Sequence, residues 1–176
     1  MPWVARAQLG DRAALEHLLL ALLPSLRAHV RSTTGDDDLA QDVVQDVLLL
    51  VSRKLGQVTA PEAIRAWALR IATREAVRAL RRWGRRVESL DDLPELPMEA
   101  APEVVEPELL AALPAHLAGI SPAAQAVLRL HYLEGYSQPE VAAILEIPVG
   151  TVKSRISYGL AALRRAFANQ GGARPR

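Results

Sequence analysis

Residues 147–156 read IPVGTVKSRI, and this stretch decides the fold. Apolar side chains recur at Val152, Ile156, Leu160 and Leu163, a spacing that lines one side of an α-helix. The other side carries small polar and basic groups, with Thr151, Lys153, Ser154, Ser157 and Tyr158 facing outward. Just upstream, Ser137 and Glu140 in SQPE have the spacing of a capping box. They predict a short helix with Val141, Ile144 and Leu145 facing inward. Glu146, Ile147 and Pro148 then form the turn into the second helix. A helix, a tight turn and a helix, with small Ala142 at the crossing, make the helix-turn-helix pattern. Its second helix fits the major groove of B-DNA. Lys153 can reach a phosphate or a guanine edge, and the serines can donate to either. Near Gly150 the backbone amides of the helix N-terminus can approach a phosphate. A plain two-helix hairpin is common in all-α domains, and the capping box, the turn and the exposed polar face together favour DNA binding over it.

Working outward, Ser121-Pro122 pairs an N-cap with a proline at the first helical position. The helix it starts carries Val127, Leu128 and Leu130 and ends near Gly135. Before it, residues 89–110 read SLDDLPELPMEAAPEVVEPELL. Prolines at 94, 97, 102 and 107 break helices and strand ladders alike. The expected organisation is a domain over 1–86, an acidic flexible linker over 87–113, a helix-turn-helix domain over 114–170, and a disordered tail over 171–176. In the first domain, Asp11 can cap a helix running to near Arg31. TTGDDD turns into a second helix from Leu39 to near Leu55, with Leu39, Val43, Val47 and Val51 at helical spacing. A loop, GQVTAPEA, leads to a third helix from near Glu62 to Arg86, on which Trp67, Ile71 and Val77 are expected in the core. No strand alternation is sustained, so the expected fold class is all-α: two small helical domains joined by an acidic, Pro-rich linker.

Charge follows the same division. Residues 1–90 hold 14 Lys/Arg and 10 Asp/Glu, residues 91–113 hold none and 7, and residues 114–176 hold 7 and 3. The balances are +4, −7 and +4, which sum to the overall +1. Two basic ends around an acidic middle point to polyanion contacts at the ends. There is no cysteine, which excludes disulfides and thiolate metal sites. His17, His29, His116 and His131 have no ligand spacing, so no metal and no cofactor are expected. No phosphate loop or nucleophile constellation occurs, so the chain is not expected to be an enzyme. The N-terminus lacks a signal-peptide pattern and no apolar run could cross a bilayer. A cytoplasmic protein without membrane insertion is expected.

The stretch LHYLEGYSQPEVAAILEIPVGTVKSRISYGLAALRRAF closely resembles the C-terminal domain of extracytoplasmic-function (ECF) sigma factors. DDLAQDVVQDVLLLV resembles the family's core-polymerase-binding helix. IRAWALRIATREAVRALRRWGRR resembles its promoter-melting and −10-reading helix. The resemblance implies a sigma region 2-like bundle and a region 4-like helix-turn-helix domain. The implied partners are core RNA polymerase (its β′ clamp and β subunit), promoter DNA and an anti-sigma factor. It implies core binding by Asp42, Gln45 and Asp46, which share a helix face. It implies −10 contacts from Arg65, Arg70, Arg74, Arg78 and Arg81, with Arg82, Arg85 and Arg86 as further basic candidates, and −35 contacts from Thr151, Lys153, Ser154, Arg155, Ser157 and Tyr158. The loop Leu55–Pro61 and the start of the third helix would hold a base taken out of the stack. The linker would thread polymerase channels that otherwise hold nucleic acid, either mimicking that polyanion or serving only as a solvated connection.

The chain departs from the family in three places. Arg74 stands where Asn is usual, which implies altered −10 reading. Glu146 stands where Gly is common, at a turn whose left-handed backbone would cost a non-Gly residue roughly 1 kcal/mol. Tyr158-Gly159 replaces a basic run, and Gly159 should weaken the helix by roughly 1 kcal/mol. Two other functions fit the same residues: a stand-alone helix-turn-helix regulator, and a sigma-like decoy that sequesters an anti-sigma factor.

Overall fold

A computed structural model describes residues 3–84, 105 and 107–171, and among these every regular element is helical. The α-helices are α1 (Trp3–Gln8), α2 (Arg12–Thr34), α3 (Asp37–Lys54), α4 (Ile64–Arg82), α5 (Pro107–His116), α6 (Pro122–Leu128), α7 (Gln138–Leu145) and α8 (Val149–Gly171). They form two compact units, one holding α1–α4 and one holding α5, α6 and α8. The all-α class expected from the sequence is the class observed.

Local chemistry sets the helix ends of the first unit. Asp11 caps α2 by accepting from the Ala14 amide at 3.0 Å. That bond, then the neighbouring Arg6, holds its carboxyl below the usual aspartate range. Gly35 ends α2 at φ 64°, a left-handed conformation that glycine adopts without strain. Asp36 then caps α3 by accepting from Leu39 at 2.9 Å. The chain reverses in two residues, so α2 and α3 pack as neighbours.

The core of this unit is the stripe predicted for α3 (Leu39, Val43, Val47, Val51) set against Leu18, Leu22, Leu26 and Val30 of α2. α4 adds Ile64, Ala68, Leu69, Ala72 and Ala76. The alanines let its backbone approach closely. Trp67, Ile71 and Val77, expected in this core, are only half-buried. The buried face of α4 is set instead by Ala68, Ala72, Ala76 and Ala79, together with Ile64, Leu69 and Leu80. His29, fully buried on α2, donates from Nε2 to Thr73 Oγ1 at 2.9 Å. The Thr73 hydroxyl in turn donates to the Leu69 carbonyl at 3.0 Å, which is why it accepts from the imidazole.

In the second unit the final part of the expected acidic linker is described. Most of the expected linker, residues 87–104 and 106, lies outside the described residues, as do Arg85, Arg86 and tail residues 172–176. The end of the linker does not stay extended, because α5 starts at Pro107, before the expected domain boundary at 114. Proline tolerates a first helical position, whose N–H has no intrahelical partner. The second proline, Pro114, falls near the end of α5. Leu109 and Leu113 then bury against a core that includes Val127, Leu128, Leu130, Val152, Ile156, Leu160 and Leu163.

After α6 the chain continues as a π-helical stretch, Arg129–Leu133, before Gly135 turns it at φ 79°. Gly159, expected only to weaken α8, is buried where α8 meets α6. A Cβ there would lie 2.6 Å from Leu128 Cδ1 and 3.4 Å from the Ala124 Cβ. The glycine is what lets the two helices approach.

Candidate functional site

The helix-turn-helix segment carries the first group of candidates. Glu140 Oε2 accepts from the Ser137 amide at 2.8 Å and from the Ser137 hydroxyl at 2.6 Å. These bonds hold its carboxyl below the usual glutamate range. The serine thus donates to the glutamate, a variant of the expected capping box. α7 ends at Leu145, and Glu146 takes φ 57°, the left-handed backbone expected at this turn. Pro148 then accepts from Val152, and α8 begins.

On α8 the outward face is narrower than its sequence implies. Lys153 and Ser154 are exposed, and Thr151, Ser157 and Tyr158 are half-buried. Arg155 does not join them: its relative exposure is 0%. This corrects its expected role as a −35 contact. Residue 155 follows Val152 by three and precedes Ile156 by one, so it lies within the buried stripe. The Ser154 hydroxyl donates to the Thr151 carbonyl at 3.0 Å, which leaves Lys153 as the fully charged group at the centre of the face. Gly150 is exposed, with open space around its Cβ position.

The first unit carries two faces of opposite charge. On α3, Asp42, Gln45 and Asp46 are all exposed. Leu49, one helical turn on, is 54% exposed, whereas Leu39, Val43, Val44, Val47 and Val51 are buried. Leu49 was missed in sequence. Its one signal is that it falls off the spacing of Val43, Val47 and Val51. On α4, Arg70, Arg74, Arg78 and Arg81 follow one another at three or four residues on a single face, and all are exposed, as is Arg82. Arg78 is also held to Glu75, Nη1 donating to Oε1 at 2.6 Å and to Oε2 at 2.9 Å. Arg65 stands apart near the start of the helix and is half-buried.

The loop between α3 and α4 has a defined shape. Leu55 and Val58 point into the core at 3% and 8% exposure, and Gly56, Gln57 and Thr59 are exposed. Gln8 of α1, also missed in sequence, donates from Nε2 to the carbonyls of Leu55 (3.0 Å) and Val58 (2.8 Å). Among the described residues no cluster of His, Asp and Glu is arranged to hold a metal. Nor is any helix long and apolar enough to cross a membrane.

Comparison with known proteins agrees with this division. The model of sigma-70 region 2 matches residues 18–86, and that of sigma-70 region 4 matches residues 109–163. The first match begins after α1. The ECF RNA polymerase sigma factor SigL of Mycobacterium tuberculosis is 33% identical, covering 94% of this chain and 98% of its own length. The ECF RNA polymerase sigma-E factor of Escherichia coli K12 is 30% identical, covering 87% and 86%. Among solved structures, the sigma factor RpoE in complex with the anti-sigma factor NepR from Bartonella quintana superposes with a TM-score of 0.63 at 27% identity, covering 87% of this chain and 96% of that one. CnrH in complex with the cytosolic domain of CnrY gives 0.62 at 25% identity, covering 95% and 96%.

Proposed function

The chain belongs to the ECF group of sigma-70 RNA polymerase sigma factors, and from that premise we propose how its surfaces divide the work of promoter-specific initiation. Members of this group are transcription regulators rather than enzymes, and the bond-making chemistry belongs to the polymerase. In this chain, Asp42, Gln45 and Asp46 on α3 dock on the β′ clamp of core polymerase, with Leu49 as the apolar centre of the contact. The arginine face of α4 holds the DNA backbone at the −10 element, where duplex DNA carries a charge every ~1.7 Å of axis. The exposed loop before α4 receives a base as the strands separate, which keeps the open state from re-pairing. α8 enters the major groove at −35, with Lys153 reaching a phosphate or a guanine and the amides near Gly150 meeting the backbone.

The observation that carries this reading is the pair of opposite faces on one bundle: acids and amide on α3, arginines on α4. A protein that only bound DNA would have no use for the first face. An anti-sigma factor is a further proposed partner, supported by the solved relative RpoE, captured in complex with the anti-sigma factor NepR. The site of action would be the cytoplasm, where polymerase meets promoters.

The test is transcription from fragmented genomic DNA of the source organism by core polymerase, with and without the purified chain. Transcripts that appear only with the chain and start downstream of shared −35 and −10 sequences support the proposal. A footprint by the chain alone, with no new transcript, would instead mark it as a stand-alone DNA-binding regulator.

A further inference from the structure

α1 has no role in the functions described so far, yet it is tied down along its length. Val4 is fully buried, and Trp3 stacks on His17 with centroids 4.9 Å apart. Arg6 donates to the Asp11 carboxylate from Nε at 2.9 Å, and its guanidinium lies 5.8 Å from the Trp3 ring. These contacts fix where the helix ends, and there Gln8 projects its amide onto the loop between α3 and α4. Both hydrogen bonds of that amide go to one short segment, to the carbonyls of Leu55 and Val58. The Leu55 carbonyl also accepts from the Val58 amide at 3.1 Å. The loop is therefore held from within by Leu55 and Val58 in the core and from outside by Gln8. Its free positions are Gly56, Gln57 and Thr59.

We propose that Gln8 is a positioning residue for −10 recognition: its amide fixes the backbone of residues 55–58, so that the exposed loop presents one preformed shape to an unstacked base. The inference rests on the −10 role given to this loop above. Its physical basis is preorganisation. A site that must capture a base against the pull of stacking cannot also order its own backbone at each encounter. A primary amide suits the task because it offers two donors on one nitrogen, matched here to two carbonyls three residues apart.

The test assembles the full chain with core polymerase and challenges it with a DNA library randomised over both the −35 and −10 regions, then sequences the transcribed templates. Gln8→Glu keeps the size and removes the donors, Gln8→Ala removes both, and Gln8→Lys restores a donor on a stem of similar reach. The native chain should select bases at both regions. Gln8→Glu and Gln8→Ala should flatten the −10 preference roughly tenfold, about the effect of one or two hydrogen bonds. The −35 preference should stay native, and Gln8→Lys should recover part of the loss. An unchanged −10 preference in Gln8→Glu and Gln8→Ala overturns the proposal, and so does an equal loss at both regions, which would mean a general structural role. A native chain without any −10 preference overturns the −10 reading itself, and that result is visible before any variant is made.

Discussion

Lys153 and Arg155 are both basic, two positions apart, and their surroundings separate them completely. Lys153 stands in solvent on the outward face of α8, whereas Arg155 is fully buried, as are Val152, Ile156 and Leu160. Lys153→Ala should therefore weaken −35 binding and lower the salt dependence of that binding by about one counterion. Affinity for core polymerase should stay unchanged. DNA-binding titrations at several salt concentrations measure the first effect and a core-binding assay the second; equal loss of both would contradict the division of labour. Gly159 is the other residue at which surroundings overrule type. Replacing it with alanine improves helix propensity by about 1 kcal/mol. The new Cβ, however, would lie 2.6 Å from Leu128 Cδ1, and overpacking a buried contact costs typically 1–3 kcal/mol. Gly159→Ala should lower the melting temperature, whereas propensity alone would raise it. Position along the buried stripe was legible in the sequence for Arg155, since it follows Val152 by three. The tightness of the α6–α8 crossing was not, because it depends on a side chain 31 residues away in sequence.

At the scale of elements, the helix ends were the most legible feature. Asp11 and the turn at Glu146–Pro148 act where the sequence places them, because caps and turns are decided by a few adjacent residues, whereas Ser121, expected as an N-cap, makes no side-chain capping bond to α6. α5 was hidden for the opposite reason. Its two prolines read as breakers, yet one sits at the start of the helix and the other near its end. The cap of α7 makes a pH prediction. The Ser137 hydroxyl and then its amide lower the Glu140 pKa below the ordinary 4.5. A group whose folded pKa is depressed contributes stability that is fully present above the unfolded value and is lost as pH falls through the folded one. The native protein should thus be more stable than Glu140→Gln at neutral pH, and the difference should shrink as pH falls below 4.5 through the lowered value. Thermal melts of both chains across the carboxylate range measure this. A gap that persists unchanged in acid would assign the effect to packing rather than to the carboxylate.

For the whole molecule, the sequence resolved the fold class because apolar spacing of the helical kind recurs along the chain with no competing strand period. Each charged surface of the first unit lies on one helix and can be located by spacing, but only the resemblance to the family's helices marks it as more than solvated surface. Leu49 and the amide of Gln8 were not legible. Leu49 acquires meaning only when its neighbours are seen to be buried, and Gln8 acts across 47 and 50 residues on backbone carbonyls that no side-chain pattern encodes. The opposite charges of α3 and α4 make the central claim, that one face meets the polymerase while the other meets DNA. The most direct test is binding of the purified chain to core RNA polymerase beside the double variant Asp42→Arg/Asp46→Arg, both shown to be folded. Binding by the native chain and its loss in the variant is the predicted result. A folded native chain that does not bind, or a variant that binds equally well, would contradict the account.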